Sequence, residues 1–127
     1  MNSIKDATFH SLRAFIGAKN YALSKEFYTD LGFEIIEIDS QMCLIQVKDN
    51  LCFYLQNAYV KDWINNSMLF LEVEDLDKYY QWILDKKLPN KFKTVRITEI
   101  RDEHWGREFF MHDPSGVLWH FGNFNKL

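Results

Sequence analysis

The apolar positions of this 127-residue chain follow two different spacings, and each spacing predicts an element of secondary structure. Every second residue from Leu12 to Ile16 is apolar, which is typical of a half-buried strand. From Leu23 to Leu31, apolar residues recur every four positions, and this period predicts a helix that Gly32 ends. The first half is therefore predicted as a strand, a helix and three strands, at residues 11–17, 21–31, 33–39, 42–47 and 51–56.

The second half predicts the same order of elements. Asp75 is a suitable N-cap for a helix whose apolar face includes Leu76 and Ile83, and Pro89 breaks the pattern. The tetrapeptide Asp-Pro-Ser-Gly at residues 113–116 predicts the turn of a β-hairpin. After a connector, the predicted elements are a strand, a helix, a strand and two hairpin strands, at residues 68–73, 75–87, 94–99, 108–111 and 117–121, with a loop around Trp105.

The repeated order predicts one domain over residues 1–127 built from two βαβββ modules, about 11–57 and 67–124. Each module alone would leave a sheet face uncovered, whereas two modules side by side can share a core. The predicted fold class is therefore α+β, with two curved mixed sheets and helices on the outside. The opposite sheet faces would be free to surround a cavity.

The hairpin turn also predicts which side chains share a face. If the turn occupies residues 113–116, His112 pairs with Val117 and His120 pairs with Phe109. His120 would then lie in an apolar pocket wall beside Phe109.

Composition narrows the possible partners. Aromatic residues make up 17% of the chain, with eleven Phe, six Tyr and four Trp, and this load indicates a site or an interface in addition to a core. The net charge of −3 disfavours nucleic acid and suits a cationic ligand. Cys43 and Cys52 match no zinc or redox motif, so buried thiols are expected. Because the sequence has neither an apolar leader nor a run of bilayer length, we expect a cytoplasmic protein without a membrane partner.

Three segments carry a resemblance to a known family. They are EFYTDLGF at residues 26–33, WGREF at 105–109 and DPSG at 113–116. With the element order, they resemble the glyoxalase, bleomycin resistance and extradiol dioxygenase superfamily, the vicinal-oxygen-chelate proteins, over roughly residues 11–124. The combination of WGREF with DPSG looks most like the bleomycin resistance proteins. This resemblance implies a homodimer that exchanges its N-terminal strand and has two binding crevices at the dimer interface.

The superfamily's enzymes hold a divalent metal through His, Glu or Gln on the first and last strands of a module. The equivalent positions fall at Arg13, at Met68 or Leu69, and at His120. Arginine has no lone pair to donate, so one ligand out of three remains, and we predict no metal, no cofactor and no catalytic residue. A pocket or core histidine is the favoured interpretation of His120.

Aromatic side chains are the predicted ligand contacts. Trp105 is placed to stack on a planar ligand, and Phe33 and Phe70 fall at aromatic positions of the resistance proteins. Trp63, in the connector, could close over the crevice. The structural alternative for each is packing or a dimer contact.

Two acidic residues beside the indole would suit the cationic tail of a bleomycin-type drug, although a solvated loop explains them as well. The complete predicted ligand-binding set is Trp105, Phe33, Phe70, Trp63, Asp102, Glu103, His120 and Phe109.

Three hypotheses follow. The first is antibiotic resistance through stoichiometric binding of a bleomycin-type glycopeptide in a dimer, without chemistry. The second is a metal-dependent lyase, isomerase or thiol transferase of the same fold. The third is a superfamily member with an unrelated small ligand, because Phe70 and Glu72 stand where tryptophans are usual in the resistance proteins.

Overall fold

The computed structural model describes residues 4–126, which form two mixed β-sheets with helices packed against them. The strands are β1 (Phe15–Gly17), β2 (Glu34–Asp39), β3 (Met42–Lys48), β4 (Leu51–Gln56), β5 (Met68–Glu72), β6 (Arg96–Ile97), β7 (Arg101–Glu103), β8 (Gly106–His112) and β9 (Leu118–Phe124). The helices are α1 (Tyr21–Asp30), α2 (Lys61–Asn65), α3 (Leu76–Asp85) and α4 (Leu88–Lys91), preceded by a 3₁₀ turn at Ile4–Asp6.

The two sheets repeat one topology. The first has the order β1-β4-β3-β2, and the second has the order β5-β9-β8-β6, with β7 also paired to β8. In each sheet the first strand of the unit runs parallel to the last, β1 with β4 and β5 with β9, and the other pairs are antiparallel. The predicted α+β class with two βαβββ units and mixed sheets is confirmed.

Local signals set the helix ends. The Asn20 side chain accepts a hydrogen bond from the Leu23 amide (3.1 Å) and caps α1. At the other end, Gly32 has a φ of 85°, and the Phe33 amide donates to the Tyr28 carbonyl (3.1 Å), as a Schellman C-cap requires. The other long helix, α3, begins at its predicted N-cap, where a carboxylate oxygen of Asp75 accepts from the Lys78 amide at 3.1 Å.

The core lies where α1 meets both sheets. The Tyr28 ring contacts Phe33, Phe53 and Trp119, with centroid distances of 6.1, 5.3 and 5.8 Å. Because Phe53 belongs to β4 and Trp119 to β9, one side chain joins the cores of the two units. The helices therefore cover one face of each sheet and leave the opposite face open.

Three predicted boundaries are wrong. The first strand is limited to β1, since residues 11–13 pair with no neighbouring strand of the described chain and Leu12 is 96% exposed. The second of the two predicted helices, α3, ends at Asp85, and α4 forms where a break was predicted. Pro89 is tolerated there because first-turn amides need no helical acceptor.

The strand predicted at residues 94–99 is limited to β6 (Arg96–Ile97), and a separate strand, β7, follows at Arg101–Glu103. Between them, the Thr98 hydroxyl oxygen accepts a hydrogen bond from the Phe110 amide (2.9 Å), while the Thr98 amide donates to the Phe110 carbonyl (3.0 Å). A side chain thus replaces a backbone carbonyl and interrupts the ladder. As a result, Asp102 and Glu103 lie in a strand, where the sequence predicted a loop.

The helices between residues 4 and 126 are all too short or too polar to cross a membrane.

Candidate functional site

The β8–β9 hairpin separates a buried face from an open one. Phe109 pairs with Phe121, and Phe110 pairs with His120, so the predicted pairing of His120 with Phe109 is wrong by one residue. The reason is the turn: three backbone amides, the last from Val117, donate to one carboxylate oxygen of Asp113 and keep Val117 out of β9. Since a one-residue slip reverses the faces, His120 shares its face with Phe110 instead.

The open face of the second sheet carries five rings, which we call the aromatic face: Phe70, Trp105, Phe110, His120 and Phe124. The Phe70 ring lies at its centre, with centroid distances of 5.8 Å to Trp105, 5.6 Å to Phe124 and 6.2 Å to His120. Phe70 and Phe124 are 44% and 54% exposed. Contacting rings of this exposure form a solvent-accessible apolar surface.

Two glycines allow these rings to approach the sheet. A Cβ on Gly122 would lie 3.1 Å from the tip of Phe70, so a side chain there would displace that ring. A Cβ on Gly106 would lie 2.0 Å from the Asn123 carbonyl oxygen. This close approach of β8 and β9 places Trp105 in the short turn before β8, where its carbonyl accepts a hydrogen bond from the Asn125 amide (2.8 Å).

His120 is oriented by a buried carboxylate. Its Nδ1 lies 2.9 Å from a carboxylate oxygen of Glu108, which is 7% exposed. The other ring nitrogen, Nε2, lies 3.5 Å from the sulfur of Met68. One imidazole nitrogen is therefore committed to the sheet, and the other is available on the open face.

On this face, the His120 nitrogen Nε2 and the Met68 sulfur are 3.5 Å apart. No group of three or more His, Cys, Asp or Glu side chains within the described residues could hold a metal ion. At the predicted first-strand ligand position, the Arg13 guanidinium donates a hydrogen bond to the Tyr54 hydroxyl at 2.9 Å.

The two predicted acidic contacts already have cationic partners. Asp102 pairs with Arg107 on the sheet face opposite His120 (3.4 Å), and Arg107 also makes two hydrogen bonds to Asp77, at 2.8 and 3.0 Å. Those bonds lower the pKa of Asp77 below its usual value. Glu103 lies on the aromatic side but pairs with Arg101 at 3.2 Å.

Acidic residues outside the predicted ligand-binding set line the open groove beside this face, and for one of them, Glu72, the sequence left open a role facing a cationic ligand. The groove has a volume of about 720 Å³ and is lined by Leu51, Phe70, Leu71, Glu72, Glu74 and Phe124. A second groove of about 540 Å³ shares four of these residues and continues between the two units to Phe33 and Tyr79. The alternation of Phe70 with Glu72 along β5 was the available signal, because alternate strand residues share a face.

The remaining predicted contacts lie apart from the aromatic face. Phe33 is 8% exposed and packs on Tyr28 and Trp119, although one edge lines the second groove. Phe109 is fully buried on the helix side of β8. Trp63 is 70% exposed on α2, which contacts β1. Of the predicted set, the structure thus brings together Trp105, Phe70, His120 and Glu103.

Comparisons with known proteins agree with this architecture. The family model of the Glyoxalase/Bleomycin resistance protein/Dioxygenase superfamily matches residues 10–121. A bleomycin-binding protein complexed with bleomycin is 20% identical with a TM-score of 0.76, and the match covers 93% of this chain and 100% of that one. The bleomycin-binding protein of bleomycin-producing Streptomyces verticillus, complexed with copper(II)-bleomycin, is 20% identical with a TM-score of 0.77, over 94% and 99% of the two chains.

A bleomycin resistance determinant encoded on the transposon Tn5 is 18% identical, with a TM-score of 0.72 over 93% of this chain and 100% of that one. No curated protein matches the sequence significantly. At such identities, the similarity to solved structures shows a common fold.

Proposed function

Because the chain belongs to the Glyoxalase/Bleomycin resistance protein/Dioxygenase superfamily, we propose that it confers resistance by binding a bleomycin-type glycopeptide stoichiometrically, without chemistry. The observation that carries the proposal is the aromatic face, on which Phe70, Trp105 and Phe124 present contacting, partly exposed rings. A planar heteroaromatic group gains both apolar burial and ring stacking on such a surface. Sequestration of this kind would require the protein to match the drug in concentration.

The solved structures of the same fold support the choice of ligand class. Two of them are bleomycin-binding proteins with the drug or its copper(II) complex bound. We propose the same class of drug for this chain because its exposed aromatic rings suit a planar ligand.

The proposal includes a dimer in the cytoplasm with a crevice between the two copies. The dimer is supported by the segment before β1, which we call the N-terminal arm. Its apolar side chains Phe9 and Leu12 are 77% and 96% exposed. The open face of the first sheet is also apolar, with Phe15 and Ile36 exposed by 57% and 39%. A second copy that covered these side chains would remove apolar surface from water.

Calorimetry with metal-free bleomycin tests the proposal. We expect one drug per chain, and we expect Trp105→Ala to lose about 1.5 kcal/mol of binding free energy or more, roughly tenfold in affinity. Tyr59→Ala removes an exposed aromatic ring that lies outside the aromatic face and should bind as the wild type does. Absence of heat at micromolar drug would contradict the proposal.

One observation favours a metal-dependent enzyme as the second candidate. A carboxylate that orients an imidazole, as Glu108 orients His120 at 2.9 Å, is the usual environment of a metal-binding histidine. Metal analysis of the purified protein distinguishes the two functions. Stoichiometric Ni, Mn, Fe or Zn would favour a lyase or transferase over a binder.

A further inference from the structure

Met68 is the most exposed methionine in the part of the chain that the structure describes. It is 63% exposed at the start of β5, whereas Met42 is partly buried and Met111 is fully buried in β8. Oxidation of a thioether requires access of the oxidant to the sulfur, so exposure alone favours Met68 over the other two. Because Met68 and Phe70 alternate along β5, they share a sheet face, and an oxidised sulfur would lie beside the aromatic face.

The sulfur of Met68 contacts a ring nitrogen that has a lone pair. Nε2 of His120 lies 3.5 Å from the sulfur, and Nδ1 lies 2.9 Å from a carboxylate oxygen of Glu108. Because a carboxylate only accepts hydrogen bonds, Nδ1 carries the proton of the neutral ring and Nε2 carries the lone pair. Nε2 and the sulfur are then two acceptors in contact, and neither supplies a hydrogen bond to the other. A small molecule with an O–H group would supply one to Nε2.

The pair suits hydrogen peroxide in size and chemistry. A peroxide oxygen about 2.8 Å from Nε2 and about 3.3 Å from the sulfur closes a triangle with the 3.5 Å contact between those atoms. Its O–H then donates to Nε2, and the oxygen is close enough to the sulfur for attack. The imidazole is held in place by Phe70 and Phe110, whose ring centroids lie 6.2 and 4.8 Å from its own.

We propose that Met68 is a site of peroxide oxidation, with His120 as the general base and Glu108 as the residue that positions the imidazole. The sulfur attacks the oxygen that is hydrogen-bonded to Nε2, and the O–O bond breaks. Nε2 takes the proton of the transferred oxygen and passes it to the departing hydroxide. The products are methionine sulfoxide and water, so the sulfur loses two electrons and the peroxide, which comes from outside the protein, gains them.

The sulfoxide would change the surface on which the ligand is proposed to bind. It replaces an apolar sulfur beside His120 with a strongly polar oxygen, and the His120 ring stacks on Phe70 at the centre of the aromatic face. This consequence rests on the proposed function, because it takes the aromatic face as the ligand surface. The oxidation itself does not rest on it.

Rates of oxidation in dilute hydrogen peroxide, followed by mass spectrometry of tryptic peptides, test the site. Met42, Met68 and Met111 fall in different peptides, so one digest gives three rates. We expect Met68 in the folded protein to react about tenfold faster than in a synthetic peptide of residues 62–78, where the sulfur is open but no imidazole adjoins it. Exposure alone cannot make a folded site faster than the peptide, so equal or slower oxidation in the protein would overturn the inference.

Variants test the two assigned roles. His120→Phe keeps a ring without the nitrogen and should reduce the Met68 rate to that of the peptide or below, whereas an unchanged rate would overturn the inference. The matched control, His10→Phe, removes an exposed imidazole of the N-terminal arm and should stay within twofold of the wild type. Glu108→Gln retains an acceptor for Nδ1 and should retain most of the acceleration, which Glu108→Leu should lose. Met111 reports unfolding, and if a variant exposes it, the comparison of wild type with peptide decides.

Calorimetry with bleomycin before and after oxidation tests the consequence. We expect oxidation of Met68 to weaken binding about fivefold or more, and reduction by methionine sulfoxide reductases to restore it. Met68→Leu should bind equally before and after peroxide treatment. Unchanged affinity after complete oxidation of Met68 would overturn the effect on the ligand site. No heat from bleomycin with either form would reject the drug, whereas the oxidation rates, which are measured without bleomycin, would still decide the modification.

Discussion

At the scale of single residues, Asp113 connects the two halves of the molecule. One carboxylate oxygen accepts the amides of Ser115, Gly116 and Val117 at 2.9–3.0 Å. The other accepts the Tyr28 hydroxyl (2.7 Å), which itself accepts the Trp119 indole N–H at 3.0 Å. Burial raises the pKa of Asp113, and these donors partly offset that rise. The Asp-Pro-Ser-Gly turn of the second unit is thereby held against the helix of the first.

Removing that carboxylate should destabilise the whole fold. We expect Asp113→Ala to lower the free energy of unfolding by about 3 kcal/mol, since four donors lose the carboxylate as an acceptor and two of them, the Val117 amide and the Tyr28 hydroxyl, are buried. Tyr28→Phe keeps the ring and removes one link, so its cost should be about 1–2 kcal/mol. Urea denaturation measures both values, and a loss below about 1 kcal/mol for Asp113→Ala would contradict this account.

His112 should make stability depend on pH. Burial and the nearby Arg96 lower the pKa of His112 in the folded protein below its usual 6.5. The unfolded state then binds more protons just below pH 6.5, so folding stability decreases as the pH falls through that region. His112→Gln should lose less stability than the wild type between pH 7.5 and 5.5 in denaturant titrations. Identical pH dependence in the two proteins would argue against this role.

At the scale of elements, the break between β6 and β7, which both pair with β8, depends on one hydroxyl. Thr98 supplies the acceptor for the Phe110 amide (2.9 Å) at the point where the backbone ladder is interrupted. Phe110 belongs to the aromatic face, so the strand that bonds to Thr98 at the break, β8, also contributes to the candidate site. Without the break, Arg101 and Glu103 would not occupy their present register opposite Glu108 and Gly106.

Thr98→Val, which keeps the shape and removes the acceptor, should cost about 0.5–1.5 kcal/mol of stability because the hydrogen bond from the Phe110 amide is lost. Thr8→Val, at an exposed position of the N-terminal arm, should change stability by less than about 0.5 kcal/mol. Thermal or urea unfolding compares the two. Equal effects would indicate that the Thr98 hydroxyl is dispensable.

At the scale of the whole molecule, apolar surface concentrates on the open sheet faces and the N-terminal arm. Exposed side chains there include Phe9, Leu12, Phe15 and Phe70. The same surfaces border the candidate site, since Leu12, Leu51 and Phe70 line a cavity of about 300 Å³ between the two sheets. Ligand binding and self-association are therefore expected to be linked.

We expect light scattering to give the mass of a dimer for the full chain. Phe9→Asp with Leu12→Asp should shift the equilibrium toward the monomer, because burying two carboxylates in an apolar interface is unfavourable. Thr8→Asp adds a charge to the same arm at a polar position and should remain dimeric. A wild-type monomer at tens of micromolar would reject the dimer.

Much of the fold could be predicted because its signals act over a few residues. Asn20 and Asp75 cap their helices, Gly32 supplies a positive φ, and the DPSG segment forms its turn. Such interactions join neighbours along the chain, so the order strand, helix, three strands can be predicted in each half of the sequence. The aromatic character of the site followed from Trp105 and Phe70 alone.

The sequence by itself therefore determined the order of the elements, and it indicated aromatic residues from which a site is proposed. Only the tertiary structure decided which side chains face it. Alternating strands permit two registers, and Asp113 selected the one that turns His120 toward Phe110 and Phe109 into the core. The ion pairs also depend on contacts between residues that are distant along the chain. Arg107 pairs with Asp77, 30 positions away, and with Asp102. Contacts between residues distant along the chain carry no local signal, so they become visible only when the sheets have formed.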